Sequence, residues 1–78
     1  MEAANLEGAD LSGASLDGAN LQRAMLSNAD LTGTDLRQAD LRQAVVINAY
    51  APGALTEGMQ YAGSDLTGSH LIYGGGPD

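Results

Sequence analysis

The chain has no cysteine, no tryptophan and no phenylalanine in its 78 residues, and its only basic side chains are Arg23, Arg37 and Arg42. Without cysteine there is no disulfide, no thiol nucleophile and no thiolate metal site. A single histidine, His70, leaves only carboxylates as further ligands, too poor a set for a metal centre or for any cofactor held by one. Three basic residues against ten acidic ones give a net charge of −7, which argues against direct binding of nucleic acid or an anionic membrane. No apolar run approaches the length of a membrane span, and Met1-Glu2 opens no signal peptide, so the expectation is a cytoplasmic protein with no membrane partner. The phosphate-loop patterns GxxxxGK and GxGxxG and the calcium-binding GGxGxD are also missing. A chain of this length makes one domain, too short for a large conventional core.

What is present is a beat. From Leu6 onward a leucine stands at every fifth position, Leu11, Leu16, Leu21, Leu26, Leu31, Leu36 and Leu41, and two residues before each is Ala or, once, Thr34. On an α-helix a step of five leaves successive leucines about 140° apart, so no apolar stripe forms. On a straight strand an odd spacing sends alternate leucines to opposite faces. Within one unit, however, the small residue and the leucine are two apart and share a face. Both can point inward in every unit only if the two residues after each leucine turn a corner of about 90°; four units then close a square coil of about 20 residues, with coils stacked at about 4.8 Å.

Units such as ADLSG, ANLQR and ADLTG resemble the pentapeptide-repeat family. The resemblance implies a right-handed quadrilateral parallel β-helix, all-β, with the leucine and the small residue inside and the other three residues outside. The fold expected is a pentapeptide-repeat β-solenoid over 1–73 of about three and a half coils.

Taken in order, the repeat frame starts at Ala4-Asn5-Leu6. Over 44–63 the leucines vanish, and counting in fives puts Val46, Ala51, Thr56 and Tyr61 at the central position before Leu66 and Leu71 resume in phase. Eight of the 11 glycines fall two residues after a central position, where a repeated turn wants positive φ. Residues 44–63 therefore read as a degenerate coil in register, with a bulging loop as the rival, because inward Thr56 and Tyr61 would bury hydroxyls that need partners. Ile72-Tyr73 either starts a tail or caps the last coil, and 74–78 reads as a flexible glycine-rich tail.

Two surface features follow from stacking residues twenty apart. Asp10 over Asp30, with Asp35 and Asp40 on the adjoining sides, makes an acidic surface. Family members that protect gyrase are acidic solenoids shaped like duplex DNA, so the resemblance offers an acidic DNA mimic acting on a DNA-processing enzyme such as gyrase as an alternative function. The plainer reading is that these aspartates bond local backbone and keep the rod soluble. An apolar patch is made by Met25, Val45 and Ile47, with Tyr50, Ile72 and Tyr73 around the next corner. It reads as a partner interface, most simply a homodimer through the C-terminal coil, or else as side chains repacked under a loop or tail. No catalytic site is expected: Ser64 and Ser69 point inward and His70 outward, so no Ser-His-Asp geometry forms. The sequence thus points to a non-enzymatic module that presents a regular surface to a protein partner, without cofactor or metal.

Overall fold

The computed structural model describes residues 2–69 and Leu71; His70, Ile72, Tyr73 and residues 74–78, on which several expectations fall, lie outside the described residues. The small-x-leucine spacing becomes one short extended segment per unit, too brief to count as more than a single bridge. Every bridge is parallel and joins residues twenty apart: Asn5 to Met25, Met25 to Val45, Val45 to Asp65, and in the same way around the other three sides. Four sides thus follow one another in chain order. Side 1 stacks Asn5, Met25, Val45 and Asp65; side 2, Asp10, Asp30 and Tyr50; side 3, Ser15, Asp35 and Leu55; side 4, Asn20, Asp40 and Gln60.

The hydrogen bonds between coils show how this is done. Central amides from Leu6 to Val46 reach up to the carbonyl nineteen residues on, as from Leu11 to Asp30 (2.8 Å) and from Leu31 to Tyr50 (2.6 Å). The amide before a central one reaches down, as from Asp30 to Ala9 (2.9 Å). At the corners a carbonyl accepts from the amide three residues later, for example Leu11 from Ala14 at 3.0 Å. With positive φ only at the second corner residue, this is a type II turn. Eight glycines and six other residues, Ala3, Arg23, Asn28, Gln38, Gln43 and Asn48, hold that corner with φ near 60–73°.

Residues 44–63 keep the same ladder: Val46 donates to Asp65 at 2.7 Å, Tyr50 to Ala29 at 2.9 Å, and Leu55 to Thr34 at 2.9 Å. The turn through Pro52-Gly53 closes from Ala54 to Ala51 at 3.3 Å.

The interior holds Leu21, Leu26, Leu31, Leu36 and Leu41 with Val46 and Ala51, all at most 1% exposed, and small residues such as Ala24, Ala29 and Ala39 between them. Burying one such leucine is worth roughly 1.5–3 kcal/mol. Towards the ends, Leu6, Leu11 and Leu66 are only partly buried against this core. Thr34 meets the cost of an interior hydroxyl by donating to the Leu11 carbonyl at 2.8 Å. Tyr61 corrects the expectation of an inward ring: it is 47% exposed, while Met59, two residues before it, is buried in a place other units give to alanine, serine or threonine. The long thioether fills space that no described coil covers, and the phenol stays in water, where its hydroxyl needs no protein partner.

Candidate interaction surface

The apolar candidates start on side 1. Met25 and Val45 are a bridged pair, so their side chains are direct neighbours on one outer face, with Asn5 below and Asp65 above. Met25 is exposed and Val45 half-buried. Ile47, half-buried, sits at the corner after Val46, its carbonyl taken by the Asn28 amide at 2.9 Å. Tyr50 stands on side 2 above Asp30 and is, among the described residues, the most exposed large apolar side chain, at 55%. The structure therefore brings Met25, Val45, Ile47 and Tyr50 onto two adjoining sides; Ile72 and Tyr73 lie outside the described residues.

Two further apolar side chains are exposed outside the predicted patch, Leu55 (48%) on side 3 and Tyr61 (47%). Leu55 had a signal: it occupies the outward place before a central residue, where side 3 otherwise carries Ser15 and Asp35.

The acidic candidates are placed by their own turns. An aspartate before the central residue folds its carboxylate onto the amide two residues later, an Asx turn that helps start the corner. Asp10 accepts from the Ser12 amide at 3.1 Å and hydroxyl at 2.7 Å. Asp30 accepts from the Thr32 amide at 3.0 Å and from its hydroxyl. Asp35 accepts from the Arg37 amide and Nε and, through its other oxygen, from Nη2 at 2.8 Å. Asp40 is held in the same way by Arg42. These bonds hold the Asp35 carboxyl down to about 2, chiefly through the Arg37 side chain, and lower Asp40 through Arg42 and Asp10 through Ser12. Asp10 and Asp30 stack directly, so the four carboxylates form two pairs of different character. One pair lies on side 2 without a counter-ion in its turn; the other, on sides 3 and 4, is compensated by arginine.

Side 3 ends in a cleft of about 350 Å³ lined by Arg37, Ala54, Leu55, Thr56 and Glu57. Asp17, Arg37 and Glu57 are twenty apart at one corner; Asp35 first, then Asp17 and Glu57, hold the Arg37 guanidinium above its ordinary value. The Thr56 hydroxyl is buried without a hydrogen-bond partner. Among the described residues no three His, Cys, Asp or Glu side chains converge on a metal-sized site.

The repeat and its geometry can be set beside known proteins. The family described as pentapeptide repeats matches residues 4–54 in eight copies. No curated protein matches the chain by sequence. Among solved structures, a pentapeptide repeat protein of the Arabidopsis thaliana thylakoid lumen is 38% identical over 94% of this chain and 51% of its own, with a TM-score of 0.88. Rfr23 from the cyanobacterium Cyanothece is 33% identical over 83% of this chain and 51% of its own (TM-score 0.69). HetL, from the cyanobacterium Nostoc and involved in heterocyst differentiation regulation, is 29% identical over 92% of this chain and 40% of its own (TM-score 0.60). The chain thus spans about half the length, or less, of these relatives. Proteins of this kind form right-handed quadrilateral β-helices and are generally structural or interaction modules rather than enzymes. With the family's repeat running from residue 4 to residue 54 and a twenty-residue register that continues beyond it, the chain belongs to the pentapeptide repeat family.

Proposed function

We propose that this chain is a non-enzymatic interaction module, a solenoid of about three and a half coils that works in the cytoplasm by presenting its outer sides to a protein partner, a second copy of itself included. The observation that carries the reading is the bridged Met25–Val45 pair, with Ile47 and Tyr50 around the corner. On a rod whose other outward places are mostly polar, contiguous apolar side chains gain by leaving water against a partner. A two-fold dimer would bring this patch on one protomer onto the same patch on its partner.

Sedimentation velocity of the full chain tests this. The wild type is expected to sediment as a dimer, and Met25→Asp and Val45→Asp as monomers with an unchanged far-ultraviolet spectrum. A monomeric wild type, or a dimer that survives both changes, sinks the self-association. The alternative, an acidic DNA mimic, draws on the Asp10–Asp30 stack, which has no cation in its own turns. It requires binding to a DNA-processing enzyme that collapses between low salt and about 0.5 M, where charge attraction is screened within a few ångströms; apolar association persists there.

A further inference from the structure

Charge is divided unevenly around the four sides. The chain's three arginines are all held in ion pairs on one half of the rod: Arg37 with Asp35 on side 3 at 2.8 Å, Arg42 with Asp40 on side 4 at 2.6 Å, and Arg23 with Glu2 where side 4 turns into side 1. The other half carries Glu7, Asp10, Asp30 and Asp65, none of which has an ion pair among the described residues. Three of these carboxylates surround the Met25–Val45 pair. Asp65 is bridged directly above Val45 on side 1. Asp30 follows Met25 by five residues, in the same coil on side 2. Glu7 stands at the corner between those sides, where the bonds from Gly8 to Ser27 and from Asn28 to Ile47 stack one corner on the next. Asp30 and Asp65 are each fixed by the amide and hydroxyl of the threonine two residues on, so their charges are presented in set places. An apolar centre thus has anionic groups above it and along one flank, and an already paired arginine along the other. A second copy on this face would set −7 against −7 and ring the contact with carboxylates from both protomers. Like charges brought together at an interface oppose binding, whereas cations at the rim of a partner would draw it in.

We propose that the Met25–Val45 face docks, in preference to a second copy, a partner protein whose contact surface is apolar with lysine or arginine at its rim. The inference rests on the reading of this face as an interface and names its occupant. The apolar centre of the partner packs on Met25, Val45 and Ile47, and its cations meet Glu7, Asp30 and Asp65. The flank held by Arg23 and Glu2 takes an uncharged edge.

The test titrates the isotopically labelled full chain with the acetylated tetrapeptide amide lysine-leucine-leucine-lysine and follows the backbone amides by NMR. Saturable shifts centred on Met25, Val45 and Ile47 are expected. Affinity should fall at least about fivefold, equivalent to roughly 1 kcal/mol, for lysine-glycine-glycine-lysine and for glutamate-leucine-leucine-glutamate. The same fall is expected for the lysine-leucine peptide on Met25→Ser and on the double variant Glu7→Gln with Asp30→Asn. Asparagine is tolerated at position 30, because Asn5 and Asn20 hold the equivalent place and accept from the amide two residues on at 3.2 and 3.1 Å. Asp17→Asn with Glu57→Gln changes the net charge equally on the opposite half and should leave affinity within about twofold. Sedimentation in the same buffer separates this inference from the dimer. A monomeric wild type that shows these shifts removes the dimer and supports the basic partner; a dimer that the peptide neither binds nor dissociates keeps the dimer and overturns it. Equal affinity for the lysine and glutamate peptides, undiminished binding by Met25→Ser, or an equal fall with the Asp17 and Glu57 pair would also overturn the proposal.

Discussion

Two threonines that face inward separate a satisfied hydroxyl from an unsatisfied one at constant size. Thr34 is fully buried and bonded to the Leu11 carbonyl; Thr56 sits one coil further on, on the same side, with its hydroxyl unpartnered. Replacing Thr34 by valine leaves that carbonyl without its second donor and should cost about 1 kcal/mol, whereas Thr56→Val removes an orphan and should gain about as much. Urea midpoints of the two variants should move in opposite directions; movement in the same direction would refute the assignment. The corners allow a second comparison. Gln43 holds φ at 61°, a conformation that costs a residue with a Cβ about 1–2 kcal/mol. Glycine relieves that strain but adds about 0.5–1 kcal/mol of unfolded-chain entropy. Gln43→Gly should therefore stabilise by up to about 1 kcal/mol, seen as a rise in Tm of several degrees. At Gly53 (φ 73°), where an added Cβ meets nothing within 4 Å, alanine should lower Tm through backbone strain alone.

The repeated element is the aspartate, the leucine and the corner that the aspartate's own side chain helps to close. Asp35 has a folded value of about 2 against an ordinary 3.8, and Asp10, Asp40 and Asp65 are shifted in the same direction. A carboxylate depressed in the folded state contributes stability above its unfolded value and loses it as pH falls through the folded one. Urea midpoints should be flat above about pH 5 and fall between about pH 4 and 2; Asp35→Asn should flatten part of that fall, and an unchanged slope would contradict the role of its turn. Much of this element is legible in the sequence. The five-residue beat and the small-x-leucine spacing require the corner, and the eight in-phase glycines locate it. The corners at Arg23, Asn28, Gln38, Gln43 and Asn48 carry no such mark, because the inter-coil ladder imposes positive φ on whatever residue falls there. Tyr61 misled for a related reason: its phase is right, but an inward place binds a side chain only where a coil lies above to cover it. The Met25–Val45 pairing follows from the twenty-residue register. The side 3 cleft does not, because it depends on how the side chains around Leu55 pack rather than on any local pattern.

At the scale of the whole molecule, each coil is held only by its neighbours, so stability is close to a sum of coil-to-coil interfaces. Leu31 lies inside such a sum: it is fully buried, and its amide is bonded to Tyr50 above. Leu6, in the first coil, is only partly buried. Truncation to alanine should then cost roughly 2–5 kcal/mol at Leu31, the range for a filled interior site, and clearly less at Leu6. Against a total of about 5–15 kcal/mol for a domain, the first change takes a large share of the stability and the second does not. A break in the middle would leave fewer than two coils on either side, too few to stand alone when about three stacked repeats are needed. Leu31→Ala should therefore shift one cooperative transition rather than split it in two. Hydrogen exchange gives the matching map: the amides of Leu31, Leu36 and Leu41, each bonded to the coil above, should open only with global unfolding, while those of Thr56 and Leu66 exchange early. Two separate melting steps in Leu31→Ala, or protection at Thr56 equal to that at Leu31, would show that the coils do not hold one another as the stacking requires.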